Sequence, residues 1–332
     1  MLRYIVQRIL LMVPTLLAIS VVTFIIIQLP PGDYLTSLVT ELQAQGEGVQ
    51  SERISYLRER YGLDRPMWQQ YLVWLGGLLQ GDLGWSFEYD LPVNQLVGDR
   101  MLMTLIVSIS TLIFTYVVSF VIAVYSATHK YSIGDHIATF IGFLGLATPN
   151  FLLALVLLFL ANVYLGTSIG GLMDPQYVDQ PMSWAKFLSI LEHLWIPVVV
   201  IGTSGTAAMI RRLRANLLDE LQKPYYVTAK AKGLPPLRAL FKYPLRVSLN
   251  PFIADIGNVL PQIISGAAVV SIVFSLPTEG PMLVRALQTQ DMYLAGSFLM
   301  LLALLTVVGV LISDLALAAL DPRIRFEGGQ SR

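Results

Sequence analysis

The chain alternates long apolar runs with polar connections, and each run is about as long as a bilayer requires. A hydrocarbon core about 30 Å thick needs about 20 apolar residues in one helix. Six segments meet this requirement, at approximately 9–29, 102–127, 136–164, 189–210, 252–275 and 296–319. The pattern therefore predicts an all-α polytopic membrane protein with six membrane-spanning helices.

Composition agrees with this prediction and excludes several kinds of site. Hydrophobic residues make up 55% of the 332 residues and charged residues only 13%, where soluble domains carry about 25% charged residues. The formal net charge is zero, so nothing indicates a nucleic-acid partner. The absence of cysteine excludes disulfides and thiol catalysis, and the three histidines are too scattered to predict a metal site.

The distribution of basic residues predicts the orientation, because cytoplasmic loops of membrane proteins are enriched in Lys and Arg. Nine basic residues lie between the fourth and fifth predicted spans: Arg211, Arg212, Arg214, Lys223, Lys230, Lys232, Arg238, Lys242 and Arg246. The same loop has only two acidic residues, Asp219 and Glu220. We therefore expect this loop to be cytoplasmic, and with six spans both termini lie on the same side.

The opposite side then receives segments 30–101, 165–188 and 276–295. Within the first of them, residues 51–62 and 65–80 place apolar and aromatic side chains at helical spacing. This spacing predicts short amphipathic helices that rest on the outer membrane surface or cover the mouth of a pathway.

The segment from Tyr225 to Arg246 combines basic residues with the small residues Ala229, Ala231 and Gly233. Pro235 and Pro236 follow directly, so we expect a short helix that is capped by Gly233 and stopped by the prolines. Such a helix could lodge in a groove on a cytoplasmic partner. A basic loop that contacts lipid headgroups is an equally good interpretation of the residues alone.

The same segment resembles the coupling helix, or EAA loop, of permease subunits in binding-protein-dependent ABC importers. Thr228-Ala229 stands where Glu-Ala is usual, and Gly233 occupies the expected glycine. The variant T-A-x-A-x-G is similar to the oligopeptide, dipeptide and nickel permease family. Further landmarks of that family follow in order along the chain: Pro14, Pro31-Gly32, Tyr61-Gly62-Leu63-Asp64, Gly81-Asp82-Leu83-Gly84, Arg211-Arg212-Leu213-Arg214 and Leu320-Asp321-Pro322-Arg323.

The resemblance implies the type I ABC importer permease fold in the inner (plasma) membrane, with both termini cytoplasmic. It implies a transport subunit that is not an enzyme and pairs with a second homologous permease as a heterodimer. Two cytoplasmic ATPase subunits would bind ATP and magnesium, this chain would carry no cofactor, and an external solute-binding protein would deliver the solute. The implied coupling helix contains Tyr226, Thr228, Ala229, Ala231, Lys232, Gly233 and Leu234.

The chain contains no G-x-x-x-x-G-K-[ST] phosphate loop. ATP hydrolysis on another polypeptide is therefore consistent with the residues. A self-sufficient ion-coupled transporter would need ionisable residues in several spans, and only Asp255 and Asp314 qualify. We expect Asp314 to pair with a loop Arg or Lys rather than to relay protons.

Three polar residues in the fifth predicted span, Asp255, Asn258 and Gln262, are spaced three and four apart and so share one helix face. They are candidates to line a solute pathway, and hydrogen bonding between helices is the alternative.

The predicted organisation is a first span with its external segment (1–101), a permease core (102–325) with a coupling loop (211–250), and a short cytoplasmic tail (326–332). Peptide is the default solute for the family, and an oligosaccharide, an opine, a glutathione-like compound or a metal chelate remain open. The stretch from Phe274 to Gly280 departs from the family's usual Phe-x-x-Pro-Gly-Leu-Gly, and the polar loop from Glu41 to Glu52 is longer than typical.

Overall fold

The structure is a computed structural model, and it describes residues 2–29, 65–166, 170–178, 180–181 and 183–320. The amphipathic helix predicted at 51–62 and the tail predicted at 326–332 lie outside these residues. The helices are α1 (Leu2–Gln28), α2 (Met67–Gln80), α3 (Val93–Thr128), α4 (Ile133–Ala147), α5 (Asn150–Leu165), α6 (Trp184–Leu221), α7 (Pro224–Ala231), α8 (Pro236–Lys242), α9 (Pro244–Ala254), α10 (Ile256–Val273), α11 (Glu279–Gln288) and α12 (Met292–Leu320). A 3₁₀ turn spans Pro175–Tyr177, and strands β1 (Trp85–Ser86) and β2 (Leu91–Pro92) form an antiparallel hairpin.

Five of these helices, α1, α3, α6, α10 and α12, are long and apolar enough to cross a membrane. Helices α4 and α5 also pass this test when they are taken together, but they are bent by 107°. The predicted all-α polytopic class is confirmed. The third predicted span, 136–164, is wrong as a single continuous helix.

The bend between α4 and α5 follows from the Thr148-Pro149 dipeptide. Thr148 is extended (φ −88°, ψ 122°), as expected for a residue before proline, where the α conformation is disfavoured. At the start of α4, Asp135 pairs with Arg214 near the end of α6. Beyond α5, the Gly171 N–H donates to the Phe274 carbonyl at the far end of α10. These contacts lie at opposite ends of the helix bundle, so the bent pair forms one broken span.

The chain divides into two compact units. Unit 1 contains Met1–Arg8, Leu105–Pro277 and Val308–Arg332, and unit 2 contains Ile9–Thr104 and Thr278–Val307. In unit 1, α6 is packed on several sides and supplies many of the buried side chains. Gly145 of α4 lets that helix approach α6 closely, since a Cβ there would clash with Thr203 Cγ2.

Unit 2 has an aromatic core in which Phe24, Trp74 and Phe298 are buried together. The β-hairpin is held there by Asp291, which precedes α12. The Asp291 carboxylate accepts hydrogen bonds from the Ser86 hydroxyl (2.6 Å) and the Glu88 N–H (3.1 Å). Predicted helix 65–80 is present in this unit as α2.

Candidate coupling site and the ion pairs beside it

Three short helices, α7, α8 and α9, follow the end of α6 that carries Arg211, Arg212 and Arg214. We call this end of unit 1 the basic end. Each short helix begins with a proline, at Pro224, Pro236 and Pro244. A proline fits the first turn of a helix because the N–H that it lacks would have no partner inside the helix. The prolines therefore divide this basic segment into separate short helices.

Helix α7 ends in a Schellman motif around Gly233, which has φ +82°. The Leu234 N–H donates to the Ala229 carbonyl (3.2 Å), and the Gly233 N–H donates to the Lys230 carbonyl (2.9 Å). These two bonds satisfy carbonyls that a helix end otherwise leaves free, and glycine adopts the left-handed conformation at little cost. The glycine-capped helix expected from the sequence is present.

The predicted coupling residues do not all lie on the exposed face of α7. Thr228, Ala231, Lys232 and Gly233 are exposed, and Tyr226 and Leu234 are half-buried. Ala229 is only 8% exposed, so it packs inside this chain. The Thr228 hydroxyl donates to the Pro224 carbonyl one turn earlier (2.8 Å).

The structure adds three exposed apolar side chains that the sequence reasoning missed, Val227 on α7 and Leu237 and Phe241 on α8. Leu237 is 72% exposed and Phe241 57% exposed. Their spacing of four places them on one face of α8. That spacing is visible in the sequence, but it could not show that Leu237 is exposed while nearby Leu240 is buried.

Leu240 anchors α8 to the spans. It is buried with Ala127 of α3, Leu217 of α6 and Leu245 of α9. On the neighbouring side, the Tyr225 hydroxyl of α7 donates to the Glu220 carboxylate at the end of α6. Helices α7 and α8 are thus attached directly to the ends of two membrane-spanning helices.

Ion pairs tie the basic end together. Arg214 binds Asp135 through two nitrogens, with Nη2 to Oδ2 at 2.7 Å and Nε to Oδ1 at 3.0 Å, a bidentate geometry that strengthens such a pair. Arg212 pairs with Asp255. Asp314 pairs with Arg8 (2.9 Å), so its partner is an arginine of α1 rather than of a loop.

The three candidate pathway residues have different environments. Asp255 lies between α9 and α10 rather than inside a helix, so the predicted span 252–275 is interrupted there. Its side chain is almost buried, and it accepts a hydrogen bond from the Asn258 amide (3.1 Å). Asn258 and Gln262 are exposed. The structure therefore brings Asp255 and Asn258 together, and only Asn258 and Gln262 present surface that a solute could touch.

No group of three or more His, Cys, Asp or Glu side chains that could hold a metal ion occurs among the described residues.

Comparison with known families covers nearly the whole chain. Residues 119–326 match the family described as binding-protein-dependent transport system inner membrane component. Residues 1–108 match the N-terminal part of such membrane components. The chain belongs to this family of transport-system inner-membrane components.

Relatives of known name match this permease from end to end. The oligopeptide transport system permease protein AppB of Bacillus subtilis is 35% identical over 327 residues, which cover 98% of this chain and 100% of AppB. The dipeptide transport system permease protein DppB of Escherichia coli K12 is 31% identical over 341 residues, covering 98% of this chain and 99% of DppB. The di/tripeptide permease DppB of Pseudomonas aeruginosa is 30% identical over 340 residues, covering 98% and 100%.

Family membership, together with the apolar helices, confirms a multi-pass inner-membrane permease subunit of an ABC importer, which works with other components of its transport system.

Proposed function

We propose that this permease subunit carries peptides, which a solute-binding protein delivers to its outer side. Three relatives that match it over nearly their full length are named as oligopeptide, dipeptide or di/tripeptide permeases. With a second homologous permease it forms the solute pathway, and exposed Asn258 and Gln262 supply polar groups to that pathway.

The partner ATPases act on this permease at the basic end of unit 1. Partner ATPases dock on the exposed face formed by Val227, Thr228, Ala231, Leu237 and Phe241, which we call the docking surface. The observation that carries this assignment is the exposure of Leu237 and Phe241 on a short helix that is itself anchored to the spans through Leu240. Leu237 and Phe241 share one face of α8 among the basic residues of this segment, and a contiguous apolar patch with a polar rim is typical of a protein interaction site.

The attachments of α7 and α8 provide a route for the movement. When the ATPases close on ATP, they displace the docking surface, and the displacement reaches α3 and α6 through the buried cluster around Leu240 and Leu217. The spans then rotate as packed bodies and expose the pathway alternately to each side. ATP and magnesium stay on the partner subunits, and no covalent chemistry occurs on this chain.

The orientation follows from the charge of the same segment. Nine Lys and Arg residues between residues 211 and 246 favour a cytoplasmic location for the basic end. Because the broken span α4–α5 counts as one crossing, the chain crosses six times and both termini are cytoplasmic.

Removing the apolar side chains of the docking surface tests this proposal. In the double variant Leu237→Ser with Phe241→Ser, the affinity of the permease for its ATPase subunits falls about tenfold or more, as expected for two apolar contacts at an interface. Co-purification of the ATPase subunits in detergent, followed by peptide uptake in proteoliposomes, measures the effect.

The matched control is Tyr131→Ser, since Tyr131 is about as exposed as Leu237 but lies between α3 and α4. This control retains the ATPase subunits. Retention of the ATPase subunits and of uptake by the double variant would show that the docking surface lies elsewhere.

A further inference from the structure

The backbone between α9 and α10 is a weak point in the helix that leads from the docking surface into the membrane. Asp255 separates the two helices. Pro251 and Pro261 lie on either side of it, and neither has an N–H for the carbonyl four residues earlier. Carbonyls that lose their helical partners within a membrane protein must find other donors.

The carbonyls at the end of α9, next to the break, accept hydrogen bonds from side chains of two other helices. The Tyr116 hydroxyl of α3 donates to the Phe252 carbonyl (3.1 Å). The Ser313 hydroxyl of α12 lies within hydrogen-bond distance of the Ile253 carbonyl (3.1 Å) and the Ala254 carbonyl (3.0 Å). Beside the break, Gly257 lets α12 approach closely, since a Cβ there would lie 3.2 Å from Val310 Cγ2. The break is therefore held by specific contacts.

The ion pair between Arg212 and Asp255 joins two positions that enclose the docking surface in the sequence. Arg212 lies near the end of α6, and its partner Asp255 directly follows α9. The residues between them, 213–254, contain α7, α8 and α9 and thus the whole docking surface. The ion pair consequently fastens the two ends of this segment to each other, as a clasp does. Asn258 adds a hydrogen bond to the same carboxylate.

A nearly buried carboxylate needs its counter-ion, because an uncompensated charge there is costly. Breaking the pair therefore removes the charged link between the two ends of segment 213–254 and loosens the break between α9 and α10. A force applied to α7 could then be absorbed at the break instead of reaching α10.

We propose that Arg212 is a positioning residue and that the Arg212–Asp255 clasp makes segment 213–254 move as one body with the end of α6. The clasp stays closed throughout the transport cycle, so that movement of the docking surface is delivered to α10 at Asp255. This inference rests on the proposed function, in which ATPase subunits act on the docking surface.

The test compares four variants in the complete reconstituted transporter: Arg212→Gln, Asp255→Asn, the charge exchange Arg212→Asp with Asp255→Arg, and the control Arg211→Gln. Arg211 is the neighbouring arginine; its guanidinium lies over the Phe143 ring, and it pairs with no carboxylate in the described part of the chain. Peptide uptake per ATP hydrolysed, ATPase activity and co-purification of the ATPase subunits are measured for each.

The two neutral variants keep their ATPase subunits and hydrolyse ATP, but uptake per ATP falls about tenfold, within the usual range of couplings between sites. The charge exchange restores most of the uptake, and Arg211→Gln has no effect. Normal uptake per ATP in both neutral variants would overturn the clasp. So would failure of the exchange to restore uptake, or loss of the ATPase subunits from the neutral variants.

A covalent link between residues 212 and 255 tests whether their contact stays closed during transport or must open. The chain has no cysteine, so Arg212→Cys with Asp255→Cys can be joined by a short bis-maleimide on this chain alone. The linked protein transports if the clasp stays closed, and a block of uptake would overturn the proposal. Failure of the docking proposal has a different signature, because the Leu237 and Phe241 variants would then keep their ATPase subunits. Failure of the clasp alone would appear as normal uptake per ATP in the Arg212 and Asp255 variants.

Discussion

Glu279, the first residue of α11, is a carboxylic acid in an almost fully enclosed position. Its side chain is 2% exposed, and Oε2 has no hydrogen-bond partner among the described residues. The Glu279 N–H donates to the Thr104 hydroxyl (3.2 Å). Burial raises the pKa of the Glu279 carboxyl group to about 7, because the charged form loses its hydration.

This pKa makes the stability of the protein depend on pH. The folded state holds the Glu279 proton up to about pH 7, whereas the unfolded chain releases it near the ordinary value of 4.5. The folded state thus binds more protons between these values, and the free energy of unfolding falls as pH rises through this window, by on the order of 3 kcal/mol. Glu279→Gln removes this dependence.

Apparent melting temperatures in detergent between pH 4.5 and 8.5 measure the effect. Glu192→Gln is the control, because it removes an exposed glutamate. A melting temperature that falls equally with pH in wild type and Glu279→Gln would show that another group is responsible.

For single residues, the structure could be predicted from the sequence where one side chain restricts the backbone conformation. Gly233 is a helix cap because glycine tolerates a positive φ, and the following prolines exclude continuation of the helix. Partners that lie far apart in sequence could not be predicted in the same way. The pairs Arg214–Asp135 and Arg212–Asp255 join helices whose packing determines which charges meet.

Among the elements, α7 depends most on its capping residue. A Cβ at Gly233 would meet no atom within 4 Å, so substitution there strains the backbone without causing a clash. Gly233→Ala therefore destabilises the end of α7 by about 1 kcal/mol, and Gly233→Asn by less, because asparagine tolerates the left-handed conformation better.

Hydrogen exchange of the Gly233 and Leu234 amides reports the strength of this cap. Exchange is fastest in Gly233→Ala, intermediate in Gly233→Asn and slowest in wild type. Uptake follows the reverse order, lowest in Gly233→Ala, if α7 must be ordered to bind the ATPase. Equal exchange in all three proteins would mean that the two bonds of the cap do not hold α7.

The breaks between α4 and α5 and between α9 and α10 show what an apolar run cannot predict. Residues 136–164 are uniformly apolar enough for one span, and the length of the run is the same whether the helix is straight or bent. Pro149 marks the first break, but a proline alone does not determine the size of the bend, which is 107°. The second break lies at Asp255, although Pro251 and Pro261 are the residues that weaken the helix.

At the scale of the whole molecule, the spans and the family could be predicted because they depend on hydrophobic length and on motifs in a fixed order. The exposure of Leu237 and Phe241 and the burial of Ala229 could not, because periodicity alone does not show which face of a short helix meets the rest of the protein. The docking surface is thus the feature that the structure adds to what the resemblance implies, and energy coupling in this permease depends on it.

The most direct test places a single reactive group on that surface. Val227→Cys provides the only cysteine in the chain, and a photoactivatable maleimide attached to it should crosslink the permease to an ATPase subunit in the assembled transporter. Val178→Cys is the matched control, because Val178 is exposed to the same extent, 57% for both, and its carbonyl binds Lys186 at the opposite end of α6. We expect crosslinks to the ATPase from residue 227 and none from residue 178. Absence of ATPase crosslinks from residue 227, with crosslinks from residue 178, would contradict this expectation.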